Sequence, residues 1–128
     1  MVRRDTRLVG NDAENLAFRF LQQHGLIPIR RNFRCRLGEL DLIMLDQRCL
    51  VVIEVRYRGD TSLVPAGLSI DRRKQQKIIR TAALFLAWNQ DFATCPMRFD
   101  VVAVNSNAAG ELTVEWIQDA FRPANARL

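Results

Sequence analysis

The sequence has a single histidine, His24, and only three cysteines, Cys35, Cys49 and Cys95, none close to another along the chain. Those scarcities exclude a histidine-rich metal centre or a close-spaced zinc site, and they fit a nucleophile–histidine triad poorly. Three scattered cysteines suit free thiols in a reducing compartment better than a disulfide framework. Long apolar runs are also missing. A membrane-spanning helix needs roughly 18 consecutive apolar residues, and the longest candidate, Ala82 to Trp88, falls far short. Met1-Val2-Arg3-Arg4-Asp5 leads into no apolar segment, so no secretory leader is expected there and a cytoplasmic location is. Lysine is nearly absent as well: seventeen of the nineteen basic residues are arginine. Any catalysis in such a chain must rest on carboxylates, basic side chains and a bound ion.

What is present suits one globular domain. The 128 residues can bury a single core, and 48% of them are hydrophobic. One domain over residues 1–128 is expected, frayed at about 1–9 and 122–128. The net charge is +5. Because it is carried mostly by planar guanidinium forks, which grip phosphate bidentately, nucleic acid leads the partner classes, ahead of an anionic membrane. The oligomeric state is left open by the sequence, a homodimer included.

Hydrophobic spacing sets the order of elements. Asn11 suits a helix cap, with Ala13, Leu16, Ala17, Phe20, Leu21 and His24 recurring at helical spacing and Gly25 ending the helix. Leu26 to Phe33, Glu39 to Leu45 and Leu50 to Tyr57 read as strands, the last two joined by a tight hairpin. A loop of about a dozen residues, Arg58 to Ser69, is long enough to suggest function. Ser69 is expected to cap a helix reaching about Asn89, with Ile79, Ala82, Ala83 and Leu86 as its buried stripe. Strands at Met97 to Val104 and Leu112 to Ile117 complete an αβββαββ order. The first three strands predict an antiparallel meander, and the second helix a crossover that brings the fourth strand in parallel to the third. The expected fold is therefore a three-layer α/β/α domain around a mixed five-stranded sheet, whose central strands are apolar because both faces are covered.

The informative residues are the carboxylates inside those apolar strands. A hairpin register pairing Leu45 with Leu50 sets Asp41 opposite Glu54 and Glu39 opposite Arg56. Directly opposed residues hold their Cβ atoms roughly 4.5–5.5 Å apart. Two carboxylates that close repel one another, and a hard divalent cation, Mg2+ or Mn2+, relieves the conflict. Glu14 in the first helix is a candidate third oxygen ligand. The plain alternative is an ordinary Glu39–Arg56 ion pair with Asp41 and Glu54 at a wet sheet end. The apolar neighbours Leu40, Leu42, Ile53 and Val55 argue against wetness there. For Glu14 the helix dipole is explanation enough on its own.

Gly38-Glu39-Leu40-Asp41-Leu42-Ile43, followed by Val52-Ile53-Glu54-Val55-Arg56, resembles the signature of the PD-(D/E)XK nuclease superfamily. In detail the chain resembles the YraN family of small bacterial proteins, which is similar to archaeal Holliday-junction resolvases. The likeness runs from about Gly10 to Asn105 and includes Gly10-Asn11-Asp12-Ala13-Glu14, Lys74-Gln75-Gln76 and Arg98-Phe99-Asp100-Val101. It implies a restriction endonuclease-like fold, Asp41 and Glu54 as metal ligands, the Val55 carbonyl as a further ligand, and Glu14 as an accessory acid. One departure stands out: Arg56 occupies the position where the superfamily has lysine, and a guanidinium cannot act as a general base.

Basic residues flank the acidic strands. Arg30, Arg31, Arg34 and Arg36 surround Phe33, Arg58 follows the third strand, and Arg72, Arg73, Lys74 and Lys77 open the second helix. Cations in a helix's first turn oppose its dipole, so phosphate contact explains their placement better than helix stability does; a merely solvated face is the alternative. Gln76 lies at the edge of the buried stripe and is expected to point at the carboxylates. For Phe33, Tyr57, Trp88 and Trp116, core packing is expected over base stacking. The function expected is metal-dependent hydrolysis of phosphodiester bonds in DNA, favoured over RNA, in branched or damaged structures. In that reading Glu39, Asp41, Glu54 and Arg56 form the catalytic set. The competing readings are a nuclease-fold module that binds nucleic acid without cutting it, and a protein-interaction domain.

Overall fold

A computed structural model of the chain describes residues 6–58 and 70–123, with side chains from residue 12 onward. Its elements are α1 (Thr6–Gln23), β1 (Ile27–Cys35), β2 (Gly38–Asp46), β3 (Cys49–Arg58), α2 (Arg72–Trp88), β4 (Met97–Ser106) and β5 (Leu112–Phe121), with a short 3-10 turn at Gln90–Phe92. The strands form one sheet in the order β1-β2-β3-β4-β5. Among the described residues, only β3 and β4 run parallel. That is the pair joined through α2, as a parallel connection requires.

Strand alternation feeds two cores. Leu50 and Val52 pack with Ile78, Ala82 and Phe85 of α2. Their neighbours Val51 and Ile53 pack with Ala13, Ala17 and Leu21 of α1. Helices thus cover both faces, giving the three layers and the apolar central strands that the sequence predicts.

The differences are local. Helix α1 begins at Thr6, so Asn11 lies inside the helix and does not cap it. Its end is as expected: Gly25 has φ +92°, and the Leu26 N–H returns to the Leu21 carbonyl at 3.1 Å. The cap of α2 is Asp71, whose Oδ1 accepts the Lys74 N–H at 2.8 Å; Ser69 and the loop from residue 59 lie outside the described residues. The buried stripe of α2 is Ile78, Thr81, Ala82 and Phe85, with Ala83 exposed and Ile79 and Leu86 half-buried. Thr81 can be buried because its hydroxyl donates to the Lys77 carbonyl at 2.7 Å, which hides its polarity and shifts the stripe by one position. Phe33 is in the core and Trp116 is half-buried, whereas Tyr57 and Trp88 are exposed, Trp88 at 61%. Trp88 rests its edge on Phe33, and the Tyr57 hydroxyl shares a hydrogen bond with that of Ser106. Among the described residues, no helix is long and apolar enough to cross a membrane.

One glycine sets how close α2 comes to the sheet. Gly38 opens β2 with φ +156°, and a Cβ there would sit 2.9 Å from Thr81 Oγ1 and 3.2 Å from Lys77 Cε. A larger residue would push away the helix that carries the basic side chains.

Candidate metal and nucleic-acid site

The β2–β3 hairpin pairs Leu45 with Leu50 and continues through Leu42 and Ile53. That is the expected register, and one step further it brings Asp41 to Glu54. There the ladder is replaced by a side chain: the Val55 N–H donates to Asp41 Oδ2 at 2.9 Å. Leu40 packs in the α2 core and Leu42 in the α1 core, although strict alternation would put both on one face. The strand therefore turns over at Asp41, whose side chain is half-buried.

The electrostatics reflect that position. Burial is the main reason the Asp41 carboxyl is pushed up from 3.8 to about 7, and the nearby charges of Glu54 and Glu14 add to it. A hydrogen bond with the Glu54 carboxyl raises it further, while the Val55 N–H pulls it down. Near neutral pH this acid thus retains a proton for part of the time. Glu54 is buried, and its Oε1 lies 2.9 Å from Nζ of Lys74. The ammonium comes from the first turn of α2, which Asp71 caps.

The remaining expected residues divide between those near this pair and those elsewhere. Glu14 is close enough to act on Asp41, and its Oε1 is 3.5 Å from Arg31 Nη2. Arg31 also donates to Asn15 at 2.7 Å and lies over the Phe18 ring, so it braces β1 against α1 rather than standing out for phosphate. Arg56 is half-buried on β3, two residues beyond Glu54. Glu39 is a correction. On its β1 side it stands across from Arg34, the two exposed side chains pair at 3.2 Å, and the β2–β3 register that would set it opposite Arg56 stops at Leu42–Ile53. The β2–β3 pairing ends before Glu39 because Asp41 has taken the next donor of β3. Gln76 is another: it is exposed, and Lys74 is the residue of that turn that reaches the carboxylates. Two positions along a helix are about 200° apart, so residues 74 and 76 point to nearly opposite sides. Arg30 lies over the Phe33 ring at 5.5 Å; Arg36, Arg72, Arg73 and Lys77 are exposed, and Arg58 is half-buried at the end of β3. The engaged backbone group of Val55 is its N–H.

A second buried carboxylate was missed in the sequence. Asp100 is fully buried on β4. Its Oδ1 accepts from Arg98 Nε at 3.0 Å and from the Asp119 N–H at 2.9 Å, and its Oδ2 from Trp116 Nε1 at 2.9 Å. Arg98 extends to Asp46 beside the hairpin turn, at 2.9 Å. This network ties β4, β5 and the turn together across the register shift between Phe99 and Val101. The signal was there, since Asp100 interrupts an apolar strand as Asp41 and Glu54 do. Among the described residues, no three His, Cys, Asp or Glu side chains gather as a metal-binding group.

A profile of the uncharacterised protein family UPF0102 matches residues 13–104. The chain belongs to this family. The UPF0102 match spans Glu14, Asp41, Glu54 and Lys74, so the whole carboxylate site lies within it. A UPF0102 protein of Pseudomonas fluorescens is 47% identical over 112 residues, covering 88% of this chain and 91% of the relative. One from Saccharophagus degradans has the same identity and coverage, and one from Methylobacillus flagellatus is 44% identical over 88% of this chain and 96% of its own.

Proposed function

We propose that the Asp41–Glu54 pair is a Mg2+ or Mn2+ site in a nuclease that hydrolyses phosphodiester bonds of DNA, with branched or damaged structures as its substrates. The observation that carries this reading is geometric: the β2–β3 register sets the half-buried Asp41 carboxyl, held by the Val55 N–H, beside the buried Glu54. A fold that forces two acids together in this way has a latent affinity for positive charge. The donor chemistry fits: Mg2+ commonly takes one or two carboxylates and completes its shell with water and substrate phosphate. Asp41 and Glu54 would hold the ion, with the Val55 carbonyl and Glu14 as further ligands.

A divalent cation held there supplies Lewis acidity that offsets charge growing on a phosphate under attack. A guanidinium cannot serve as a general base, so the role left to Arg56 is to orient the attacking water or to steady the phosphate. The exposed Arg36, Arg72, Arg73 and Lys77 would follow the nucleic-acid backbone.

The ion pair between Lys74 and Glu54 favours a second reading, a nucleic-acid-binding module without cleavage, because Glu54 already has a cation. One screen separates the two: linear, nicked, flapped and four-way DNA, plus RNA, incubated with Mg2+ or Mn2+ and the wild-type, Asp41→Asn or Glu54→Gln protein. Cleavage by the wild type that both variants lose supports the nuclease. Binding without cutting on every substrate overturns it in favour of the second reading.

A further inference from the structure

We propose that Lys74 holds the place of the divalent cation, its ammonium neutralising Glu54 until the ion arrives and then moving out to the nucleic-acid phosphate. The inference rests on the reading of Asp41 and Glu54 as a metal site.

Four observations carry it. First, Lys74 Nζ lies 2.9 Å from Glu54 Oε1, against a carboxylate whose side chain is only 9% exposed, so a positive charge already occupies the ground an ion would take. Second, the Lys74 side chain is itself 42% exposed and has solvent to move into, whereas Glu54 does not. Third, the Lys74 backbone is fixed by Asp71, so release needs only side-chain rotation. The first turn of a helix repels a cation, so α2 does not hold the ammonium back. Fourth, the chain uses arginine at every basic position except Lys74 and Lys77, both on this stretch of α2. An ammonium is a compact, strongly hydrated point charge, a closer substitute for a hard metal ion than a planar guanidinium, and it rehydrates readily when displaced.

The consequence is coupling. A cation arriving at Glu54 meets a like charge that must leave, and the departing ammonium adds to the positive surface of Arg72 and Arg73. Ion and phosphate should therefore favour each other's binding, reciprocally, as linkage requires.

Calorimetric titration of the full chain with Mn2+ tests the exchange. Lys74→Met is expected to bind Mn2+ more tightly than wild type by about tenfold, the scale on which one neighbouring charge shifts an ionic equilibrium, while Lys74→Arg, which keeps the charge on a less readily displaced group, shows no gain. Equal or weaker binding by a folded Lys74→Met overturns the proposal. A measurement on the wild type guards against a variant that fails to fold. With only two lysines, 13C-dimethylation gives few methyl signals, assigned through Lys74→Arg. Added Mg2+ is expected to move the Lys74 signal in wild type and not in Asp41→Asn; a signal that stays fixed at a Mg2+ level that raises the melting temperature overturns it. The two readings fail differently. If Asp41→Asn binds Mn2+ as wild type does, the metal site itself is wrong and the exchange falls with it. If Asp41→Asn loses binding and Lys74→Met is unchanged, only the exchange falls.

Discussion

Asp41 Oδ2 accepts the Val55 N–H at 2.9 Å, at the point where the β2–β3 ladder would otherwise run on from Leu42 and Ile53. One side chain has taken over a backbone partner's role. The bond anchors a carboxyl that burial and its acidic neighbours work against, and the cost of keeping it there is measurable.

Asp41 makes folding stability depend on pH. Its folded-state value of about 7 lies above the ordinary 3.8, so the folded protein binds a proton that the unfolded chain has already lost. The stability this contributes is fully present below about 3.8 and disappears as pH rises through about 7. Asp41→Asn removes the dependence. Urea unfolding at pH 5 and pH 8 should show wild type losing about 1–3 kcal/mol relative to Asp41→Asn across that interval. Parallel curves for the two proteins would show that Asp41 ionises normally.

Mg2+ or Mn2+ should stabilise the wild-type fold. At a free concentration of ten times Kd, the rise in melting temperature is expected to be about 5 °C for a chain of this size. Asp41→Asn and Glu54→Gln should show no such rise. Scanning fluorimetry with a Ca2+ and a high-salt control provides the check.

Gly38→Ala should destabilise the domain by about 2 kcal/mol, since its Cβ would meet Thr81 Oγ1 in a backbone conformation that side chains rarely adopt. Thr81→Ala in the same chain should recover part of that loss, and a double-mutant cycle read by chemical denaturation measures how much.

The Asp100 network predicts a purely structural phenotype. Asp100→Ala leaves Arg98 Nε, Trp116 Nε1 and the Asp119 N–H without their acceptor, and the expected cost is about 3–5 kcal/mol. Asp100→Asn should be milder and keep the Mg2+-induced rise in melting temperature. Loss of that rise in a folded Asp100→Asn would tie the network to the ion site.

Nucleic-acid affinity should fall steeply with salt. Replacing the exposed Arg72 and Arg73 together by glutamine is expected to lower the slope of log affinity against log salt by about 2, one for each phosphate no longer neutralised. Fluorescence anisotropy over a salt series gives both slopes; identical slopes would place the phosphates elsewhere.

Much of the fold was legible because it depends on period and sign. Alternation in β2 and β3, the hairpin between them and the long helix before β4 fix the layers and the Leu45–Leu50 register. The site was legible only as far as the register reached. Beyond Leu42, regular alternation predicts Glu39 beside Arg56, but β2 turns over at Asp41 and Glu39 pairs with Arg34. No spacing rule encodes that change, which coincides with Asp41 taking the Val55 N–H and with Asn32, opposite it on β1, at φ +55°. The helix positions depended on phase. Thr81 counts as polar until its hydroxyl is seen bonded within the helix, which moves the buried stripe by one position; Lys74, two positions before Gln76, is the residue that reaches Glu54.

The saturated Asp100 carboxylate divides the molecule into a clasp and an open rim. Guanidinium, indole and amide all converge on it, so this stretch joins the hairpin turn to β5. Under the proposed reading, gripping falls to the strand ends beside the first turn of α2, where changes need not loosen the clasp.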